Sequence, residues 1–430
     1  MYFSKQDIEQ RRQRLAVKWD ALLQPDEAVL VYSGDLIFKP GGLDQTYSFL
    51  PHPAYYWLTG RRREEEVILY NKNLGWVEFQ KIIPAGDAVW EGERNDLLVS
   101  EKGNAITELN SFLVNNKFAQ VYKLGQVPGG VTGKAFDLRT ALDQTRRAKD
   151  NSEINLIKHL AQIATQGYTK IKEVLQPGIT EKDIQVAYEG EILRRGAHTV
   201  PYDTIVGSGV NSAILHALPT QKVIQENVFV LVDAGCDIYD YCVDITRMFP
   251  ASRNISSQHK ALYQLVLQAH TECIALSKPG VFWRDVHNHA AKVLTEGLLQ
   301  LGILKGNLST LLEKEVVSVF FPHGLGHLVG LRVRDTGQEE NLNPKTYFGA
   351  RLRVDIELVE NYLITVEPGC YFIKPLLENS EIQNKFKEDI SWSEVDKWKH
   401  IGGVRIEDNI LITQNGNENL TIDVPKSSEF

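Results

Sequence analysis

The stretch NVFVLVDAGCDIYDYCVDITRMF, Asn227 to Phe249, places two acidic residues in apolar surroundings. An apolar run typical of a buried strand ends at Asp233, and a second apolar and aromatic segment carries Asp244 eleven residues later. An ionised carboxylate does not stay in such surroundings without a partner, because burying an unpaired charge is costly. The pattern therefore predicts that some other group neutralises both residues.

Ionisable groups interrupt apolar segments in three further places. Glu367 follows the run YLITV, Arg405 and Glu407 lie within the alternating segment GGVRIEDNILIT, and FFPHGLGHLVGL contains His323 and His327. A single residue of this kind is more often a satisfied polar group of the core. The groups that could bind a cation and share this apolar context are Asp233, Asp244, His327, Glu367 and Glu407.

These four carboxylates and one imidazole predict a centre with two divalent ions, because one ion would leave an excess of negative charge. A pair of metals roughly 3.5–4 Å apart also supplies a nucleophile, because a water molecule bridging them loses a proton near neutral pH. Oxygen-rich ligands favour Mn²⁺, Fe²⁺ or Co²⁺, with Zn²⁺ also compatible, over a thiolate-type structural zinc site. The four cysteines are accordingly expected in the core.

Composition excludes several classes of protein. The net charge is −8 with both signs mixed along the chain, so no basic face for nucleic acid or anionic lipid is predicted. No apolar segment approaches the roughly 20 residues that span a membrane. The amino-terminal residues lack the apolar core of a secretory signal, and the cysteines form no CxxC pair. We therefore expect a cytoplasmic protein.

The pattern of predicted helices and strands changes near residue 145. Before it, short strand-like runs such as EAVLVYSG alternate with helical stretches, whereas a long helix with Ile154, Ile157 and Leu160 at helical spacing follows it. At 430 residues, about two to three domains are expected. We predict an α/β (α+β) chain with domains at 1–145 and 146–430.

The motifs of the second domain resemble those of the pita-bread metallopeptidases, family M24, which include methionine aminopeptidase, aminopeptidase P and prolidase. TIVGSGVNSAILH, VDAGCDIYDYCVDITRMFP, HGLGHLVGL, TVEPGCYF and GGVRIEDNILIT occur in the family's order and spacing. Over the first 145 residues the resemblance is limited to YYWLTG and PAGDAVWEGE. It implies a smaller α/β amino-terminal domain followed by a pita-bread catalytic domain.

The resemblance also bears on the substrate. An amino-terminal domain of this size is typical of the proline-directed branch, and the polar insertion between Glu367 and Glu407 is similar to that of bacterial prolidases. Hydrolysis of the Xaa-Pro bond in dipeptides is therefore the favoured interpretation, with aminopeptidase P, which acts on longer peptides, as the alternative. A non-catalytic binding module is a third possibility, although such proteins have lost metal ligands. A small peptide substrate and a homodimer are expected.

Family roles can be transferred to matching positions. The resemblance implies that Asp233 chelates one metal, that His327 and Glu367 hold the other, and that Asp244 and Glu407 bridge both. A hydroxide bridging the metals would then attack the carbonyl group that precedes proline.

Further roles follow from the same resemblance. Glu367 would relay a proton to the imide nitrogen, and His216 in AILHALP would stabilise the oxyanion. His323 resembles the histidine that lines the proline pocket. Arg405 resembles an arginine that supports the metal ligands, and Tyr202 is expected to orient a ligand carboxylate.

One segment departs from the family pattern. After the metal histidine the family usually reads Gly-hydrophobic-Asp-Val-His-Asp, whereas GLRVRDTGQ places Arg332 and Arg334 at two of these polar positions. One hypothesis is that Arg334 binds the free carboxylate of a dipeptide, in place of a histidine that contacts substrate. The other is that Arg334 points away and forms an ordinary salt bridge.

Overall fold

The computed structural model describes residues 2–83, 86, 89, 103–126, 131–336 and 345–426. The chain forms two compact units, Met1–Arg146 and Arg147–Phe430. Most of the PAGDAVWEGE motif lies outside the described residues. Among the helices that are described, none combines the length and the apolar character needed to cross a membrane.

The first unit is built on a five-stranded sheet with strand order β4-β3-β2-β1-β5. Its elements are α1 (Lys5–Leu22), β1 (Glu27–Tyr32), α2 (Pro53–Thr59), β2 (Val67–Asn71), β3 (Gly75–Gln80), β4 (Asn104–Ala105), a 3₁₀ turn (Ile106–Glu108), α3 (Leu109–Asn116), β5 (Gln120–Gly125) and α4 (Lys134–Arg147). Strands β1 and β5 are parallel, whereas β1–β2 and β2–β3 are antiparallel. The YYWLTG motif forms α2, which ends at Gly60 in the left-handed conformation.

The second unit combines long helices with short strands. Its helices are α5 (Asn151–Val174), α6 (Glu181–Arg194), α7 (Ser257–Leu276), α8 (Trp283–Gln300), α9 (Leu308–Glu313), α10 (Lys374–Leu377), α11 (Ser380–Lys385) and α12 (Trp392–Trp398). Its strands are β6 (Ile205–Ser208), β7 (Phe229–Asp233), β8 (Asp237–Ile238), β9 (Tyr241–Cys242), β10 (Thr246–Pro250), β11 (Thr346–Tyr347), β12 (Ala350–Arg351), β13 (Leu363–Val366), β14 (Gly369–Tyr371), β15 (Gly403–Arg405), β16 (Asp408–Thr413) and β17 (Gly416–Asn419). Shorter 3₁₀ turns cover Gly209–Ala213, Val316–Val319 and Lys399–Ile401.

Local sequence signals set the ends of the first two helices of this unit. Asp150 caps α5, and its side chain accepts a hydrogen bond from the backbone N–H of Glu153. The Glu153 side chain accepts one in return from the backbone N–H of Asp150, which forms a capping box. Thr180 and Asp183 cap α6 in the same manner. The predicted apolar stripe of α5 is buried, because it faces the core while the polar side of the helix stays accessible.

Two small antiparallel sheets carry most of the ionisable groups singled out above. Strand β7 pairs with β6 and β10, which places Asp233 opposite Thr246. Strand β13 pairs with β16, and a further bridge joins Thr246 to Glu407. The two sheets therefore meet at the ends of their strands, where the acidic residues lie.

The continuous strand expected for GGVRIEDNILIT is instead two strands. β15 pairs with β14 and β16 pairs with β13, and Ile406 and Glu407 lie between them. The partner side is interrupted by Glu367-Pro368, where proline offers no backbone N–H to continue the ladder. Because of this break, the direction of the Glu407 side chain is not fixed by the alternation of side chains in a regular strand.

Candidate metal centre

Asp233 and Asp244 are held by the backbone of the β7 and β10 region. Asp233 is the last residue of β7, and Asp244 lies two residues before β10 begins. The backbone N–H of Asp244 donates to the Asn409 side chain at 3.1 Å, and the Asn409 amide donates in return to the Asp244 carbonyl. A side chain of β16 therefore fixes the turn that presents Asp244.

His327 and Glu367 are set by contacts beside β13. The His327 backbone N–H donates to Thr365 Oγ1 at 3.0 Å, and the Thr365 N–H donates to the His327 carbonyl at 2.9 Å. Gly326 permits this approach, because a Cβ atom there would lie 2.0 Å from the Thr365 carbonyl oxygen. The glycine in HGLGH is thus required for packing beside the strand.

The five predicted ligands converge. His327 Nε2 lies 3.3 Å from Asp244 Oδ2 and 3.6 Å from Glu367 Oε1. Asp244, His327 and Glu407 each offer an atom such that all three atoms lie within 4.8 Å of one another. Asp233 joins the group through the Tyr202 hydroxyl, which lies 2.8 Å from Asp233 Oδ1 and also bonds Asp244. Tyr202 therefore contacts two of the carboxylates, which is the position its predicted role requires.

Arg405 is the buried cation of this cluster. Its Nη2 donates to Asp233 Oδ2 at 2.6 Å, its Nε donates to Thr246 Oγ1 at 3.1 Å, and its Nη1 donates to the Tyr371 hydroxyl at 3.1 Å. Thr246 Oγ1 in turn donates to Glu407 at 2.8 Å. Arg405 thus fixes Asp233 directly and Glu407 through Thr246. The sequence had predicted the supporting role of Arg405 but not the participation of Thr246.

The carboxylates carry more negative charge than the protein itself compensates. Burial raises the pKa of Asp233 to about 6, even though Arg405 favours its ionised form. Burial and the neighbouring Asp244 raise the pKa of Glu407 well above its ordinary value, and burial raises that of Glu367. Burial opposes ionisation of Asp244 too, but hydrogen bonds from His327 and Tyr202 lower its pKa.

Two further features fit a metal centre. Glu407 Oε1 is buried and has no hydrogen-bond partner among the described residues. His327 Nδ1 donates a hydrogen bond to the Leu328 carbonyl at 3.2 Å, and Nε2 is directed at the carboxylates. A cation between these groups would satisfy the orphan oxygen and offset the excess negative charge. The donor set, four carboxylates and one imidazole, suits hard divalent ions.

The cluster forms the floor of a cavity of about 420 Å³. Its walls include all the remaining predicted site residues, namely Tyr202, His216, His323, Arg334 and Arg405. They also include Arg353, which sequence reasoning missed because nothing in RLRVDIE distinguishes it from surface arginines such as the exposed Arg351.

Two of the cavity histidines, His216 and His323, are neutral near pH 7. Burial and then the cations Arg334 and Arg405 lower the pKa of His216. Burial and Arg405 lower the pKa of His323 to about 3. The Tyr371 hydroxyl donates to His323 Nε2 at 2.9 Å and the Gly324 carbonyl accepts from Nδ1 at 2.9 Å, so both ring nitrogens are occupied. His323 therefore presents the cavity with an uncharged ring.

Arg334 faces the cavity. Within the described ranges it forms no ion pair, whereas the nearby Arg332 lies 3.5 Å from Asp240. Burial lowers the pKa of Arg353 most, and the charge of Arg334 lowers it further. The two guanidinium groups therefore lie near each other on the same wall. Arg334, which is also exposed, thus lines the cavity, and among the described residues it does not form the outward salt bridge of the second hypothesis.

Comparisons with known proteins agree with this site. The model of metallopeptidase family M24 matches residues 155–414. A probable Xaa-Pro aminopeptidase of Talaromyces marneffei is 36% identical over 342 residues, covering 75% of this chain and 72% of the relative. A second, from Coccidioides posadasii, is 32% identical over 453 residues, covering 99% of this chain and 96% of the relative.

The solved structures similar to this chain include Escherichia coli aminopeptidase P with the inhibitor Pro-Leu. It is 26% identical, with a TM-score of 0.80, over 99% of this chain and 96% of the other. A zinc-substituted form of that enzyme with product matches with a TM-score of 0.79 at 27% identity, over the same shares of both chains. The resemblance to the proline-directed branch and the expected fold, an amino-terminal domain followed by a pita-bread catalytic domain, are thereby confirmed. The chain is a metallopeptidase and belongs to family M24.

Proposed function

We propose that this chain is an Xaa-Pro aminopeptidase, which releases an amino-terminal residue that precedes proline. The observation that carries the proposal is the convergence of His327, three buried carboxylates and the partly buried Glu367 on the floor of one cavity. The names of the similar proteins support the choice of bond. They favour the aminopeptidase over the dipeptidase interpretation that the polar insertion suggested.

Two divalent ions fit the proposed centre. Asp233, Asp244, His327, Glu367 and Glu407 would hold them, with Mn²⁺ favoured by the oxygen-rich donor set. When bound, such ions supply a water nucleophile at neutral pH and polarise the scissile carbonyl group. Arg405 keeps Asp233 oriented, since two groups held at 2.6 Å restrict each other's rotation.

The chain's own residues supply the proton transfers. Glu367, whose pKa is raised by burial, is suited to hold a proton and to deliver it to the imide nitrogen. That nitrogen is tertiary and must be protonated before it leaves. His216 is neutral, so a ring N–H can donate to the developing oxyanion without carrying a charge of its own. His323 offers a ring face against which a proline can pack.

A second candidate, preference for dipeptides, is favoured by Arg334 and Arg353. Two guanidinium groups on one cavity wall, without an ion pair to any described residue, are a site for an anion. In a dipeptide, the free carboxylate follows proline directly and could occupy this position. A longer peptide has an amide there, which bonds guanidinium groups more weakly.

The test is a comparison of Xaa-Pro-Xaa, Xaa-Pro and Xaa-Ala peptides, with the protein depleted of metal and then supplied with Mn²⁺. We expect Mn²⁺-dependent release of the first residue from proline peptides alone. Glu367→Gln should lower kcat by at least about 100-fold, whereas Glu388→Gln, at an exposed position in the insertion, should not. Peptide binding without hydrolysis would contradict the proposal and favour a binding module.

The substrate length is tested with Arg334→Ala. If Arg334 binds a carboxylate, the variant should raise KM for dipeptides by about tenfold or more, the loss of one charged hydrogen bond. Its KM for tripeptides should change little. Equal effects on both substrates would exclude the carboxylate contact and leave the aminopeptidase proposal intact.

A further inference from the structure

The segment that carries Arg334 is held by two ion pairs on either side of it. Arg332 lies 3.5 Å from Asp240, and Asp335 lies 2.8 Å from Lys149. The side chains of Lys149 and Asp335 are only 1% and 3% exposed. Because Val333 and Arg334 line the cavity, the residues that flank them point away from it.

Backbone contacts restrict the same segment. The Asp335 N–H donates to the Leu328 carbonyl at 2.9 Å, and the Lys149 N–H donates to the Asn361 carbonyl at 2.9 Å. A Cβ atom at Gly330 would lie 2.5 Å from Lys149 Cε and 2.8 Å from Asp335 Oδ2. The glycine therefore leaves room for the ion pair beneath the turn.

Arg334 needs such a restraint. Its guanidinium group lies near Arg353 and His216, and its charge lowers the pKa of each of them. Arg334 is exposed as well as cavity-lining, and like charges repel across this wall, so an unrestrained arginine would favour rotamers farther from Arg353 and His216. A buried ion pair contributes little net stability, but its fixed geometry can select one arrangement of the chain.

We propose that Lys149, through its ion pair with Asp335, is a positioning residue that keeps Arg334 in the cavity and so sets the preference for substrates with a free carboxylate after proline. Lys149 itself lines no part of the cavity. The proposal rests on the second candidate of the proposed function, the preference for dipeptides, and deepens it, because it names the feature of the chain that distinguishes dipeptides from longer peptides.

The test replaces both partners, since a lone buried charge would destabilise the protein. In Lys149→Met/Asp335→Leu we expect KM for an Xaa-Pro dipeptide to rise about tenfold, as for loss of the Arg334 contact, while kcat and the tripeptide KM stay within about twofold. Lys149→Arg should retain most of the dipeptide preference. The control is Lys314→Met/Asp389→Leu, an ion pair at 2.8 Å with a half-exposed lysine, whose residues do not line the cavity.

Adding Arg334→Ala separates positioning from general damage. If Lys149 acts through Arg334, the triple variant should resemble the double variant, because the same contact is lost in both. Additive losses, or equal increases in KM for dipeptide and tripeptide, would overturn the proposal.

A readout without catalysis keeps the proposal distinct from the proposed function. In metal-depleted protein, inorganic sulfate should raise the Tm of the parent more than that of Lys149→Met/Asp335→Leu or Arg334→Ala, because the anion binds the paired guanidinium groups. Equal sulfate shifts in parent and variants would overturn the positioning role. If the parent cleaves neither peptide, the proposed function fails, while the sulfate comparison still tests the position of Arg334.

Discussion

The substitution Glu407→Gln separates the protein's own stability from stabilisation by metal. Burial and Asp244 raise the pKa of Glu407 well above its ordinary value, so the metal-depleted protein favours the neutral form of this carboxyl group. Glutamine has the same shape, is also neutral, and can still accept the hydrogen bond that Thr246 donates at 2.8 Å. We expect the free energy of unfolding to change by about 1 kcal/mol or less.

Added Mn²⁺ should reveal the difference in stability between the parent and Glu407→Gln. At a free Mn²⁺ concentration about 100 times the Kd, binding to the folded state adds about 2.7 kcal/mol. For a unit of the size of Arg147–Phe430 that corresponds to an increase in Tm of about 4–5 °C. An amide cannot bridge cations as a carboxylate does, so Glu407→Gln should lose more than half of this increase.

Asp244→Asn is the matched control. Despite burial, His327 and Tyr202 lower the pKa of Asp244, so this residue is ionised and accepts bonds from both. Its neutralisation should destabilise even the metal-depleted protein, by about 1–3 kcal/mol for a buried hydrogen bond to a charged group. The reasoning is refuted if both variants destabilise the metal-depleted protein equally, or if Mn²⁺ raises the Tm of Glu407→Gln as much as that of the parent.

The same assay has a pH dependence of known sign. In the folded, metal-depleted state the pKa of Glu407 lies above the ordinary value of 4.5, so the folded state binds more protons than the unfolded state above that pH. The stability that this group contributes is fully present below pH 4.5 and is lost as pH rises through the folded pKa. Thermal unfolding in a chelator should show this loss for the parent and a smaller one for Glu407→Gln.

Two further substitutions test the packing of the centre. Gly326→Ala places a Cβ atom 2.0 Å from the Thr365 carbonyl oxygen and should abolish metal-dependent activity and lower Tm. Gly324→Ala, whose nearest contact would be at 3.5 Å, should leave Tm nearly unchanged. Equal Tm values for the two variants would refute the close approach at Gly326. Tyr202→Phe removes the hydroxyl 2.8 Å from Asp233 and should weaken Mn²⁺ affinity by about 10–100-fold, measured by metal titration, with unchanged affinity as the contrary outcome.

The residues that converge at the proposed metal centre could be identified from the sequence. Asp233 and Glu367 each end an apolar run, and that context is visible in the letters themselves because burying a charge is costly wherever the chain places it. The caps of α5 and α6 could also be recognised from the sequence, because a capping box involves residues only three apart. Local chemistry thus determined the ligand set, the helix starts and the family resemblance.

The arrangement around those ligands depended on distant contacts. Thr246 and Glu407 are 161 residues apart in the chain, and Lys149 and Asp335 are 186 apart. The interruption of the GGVRIEDNILIT strand arose from a proline on its partner, and the role of Arg353 depended on which wall it faces. Sequence determined which groups must find partners, whereas only the tertiary structure decided which partners they found, because pairing across such separations is set by the packing of the sheets and not by local propensity.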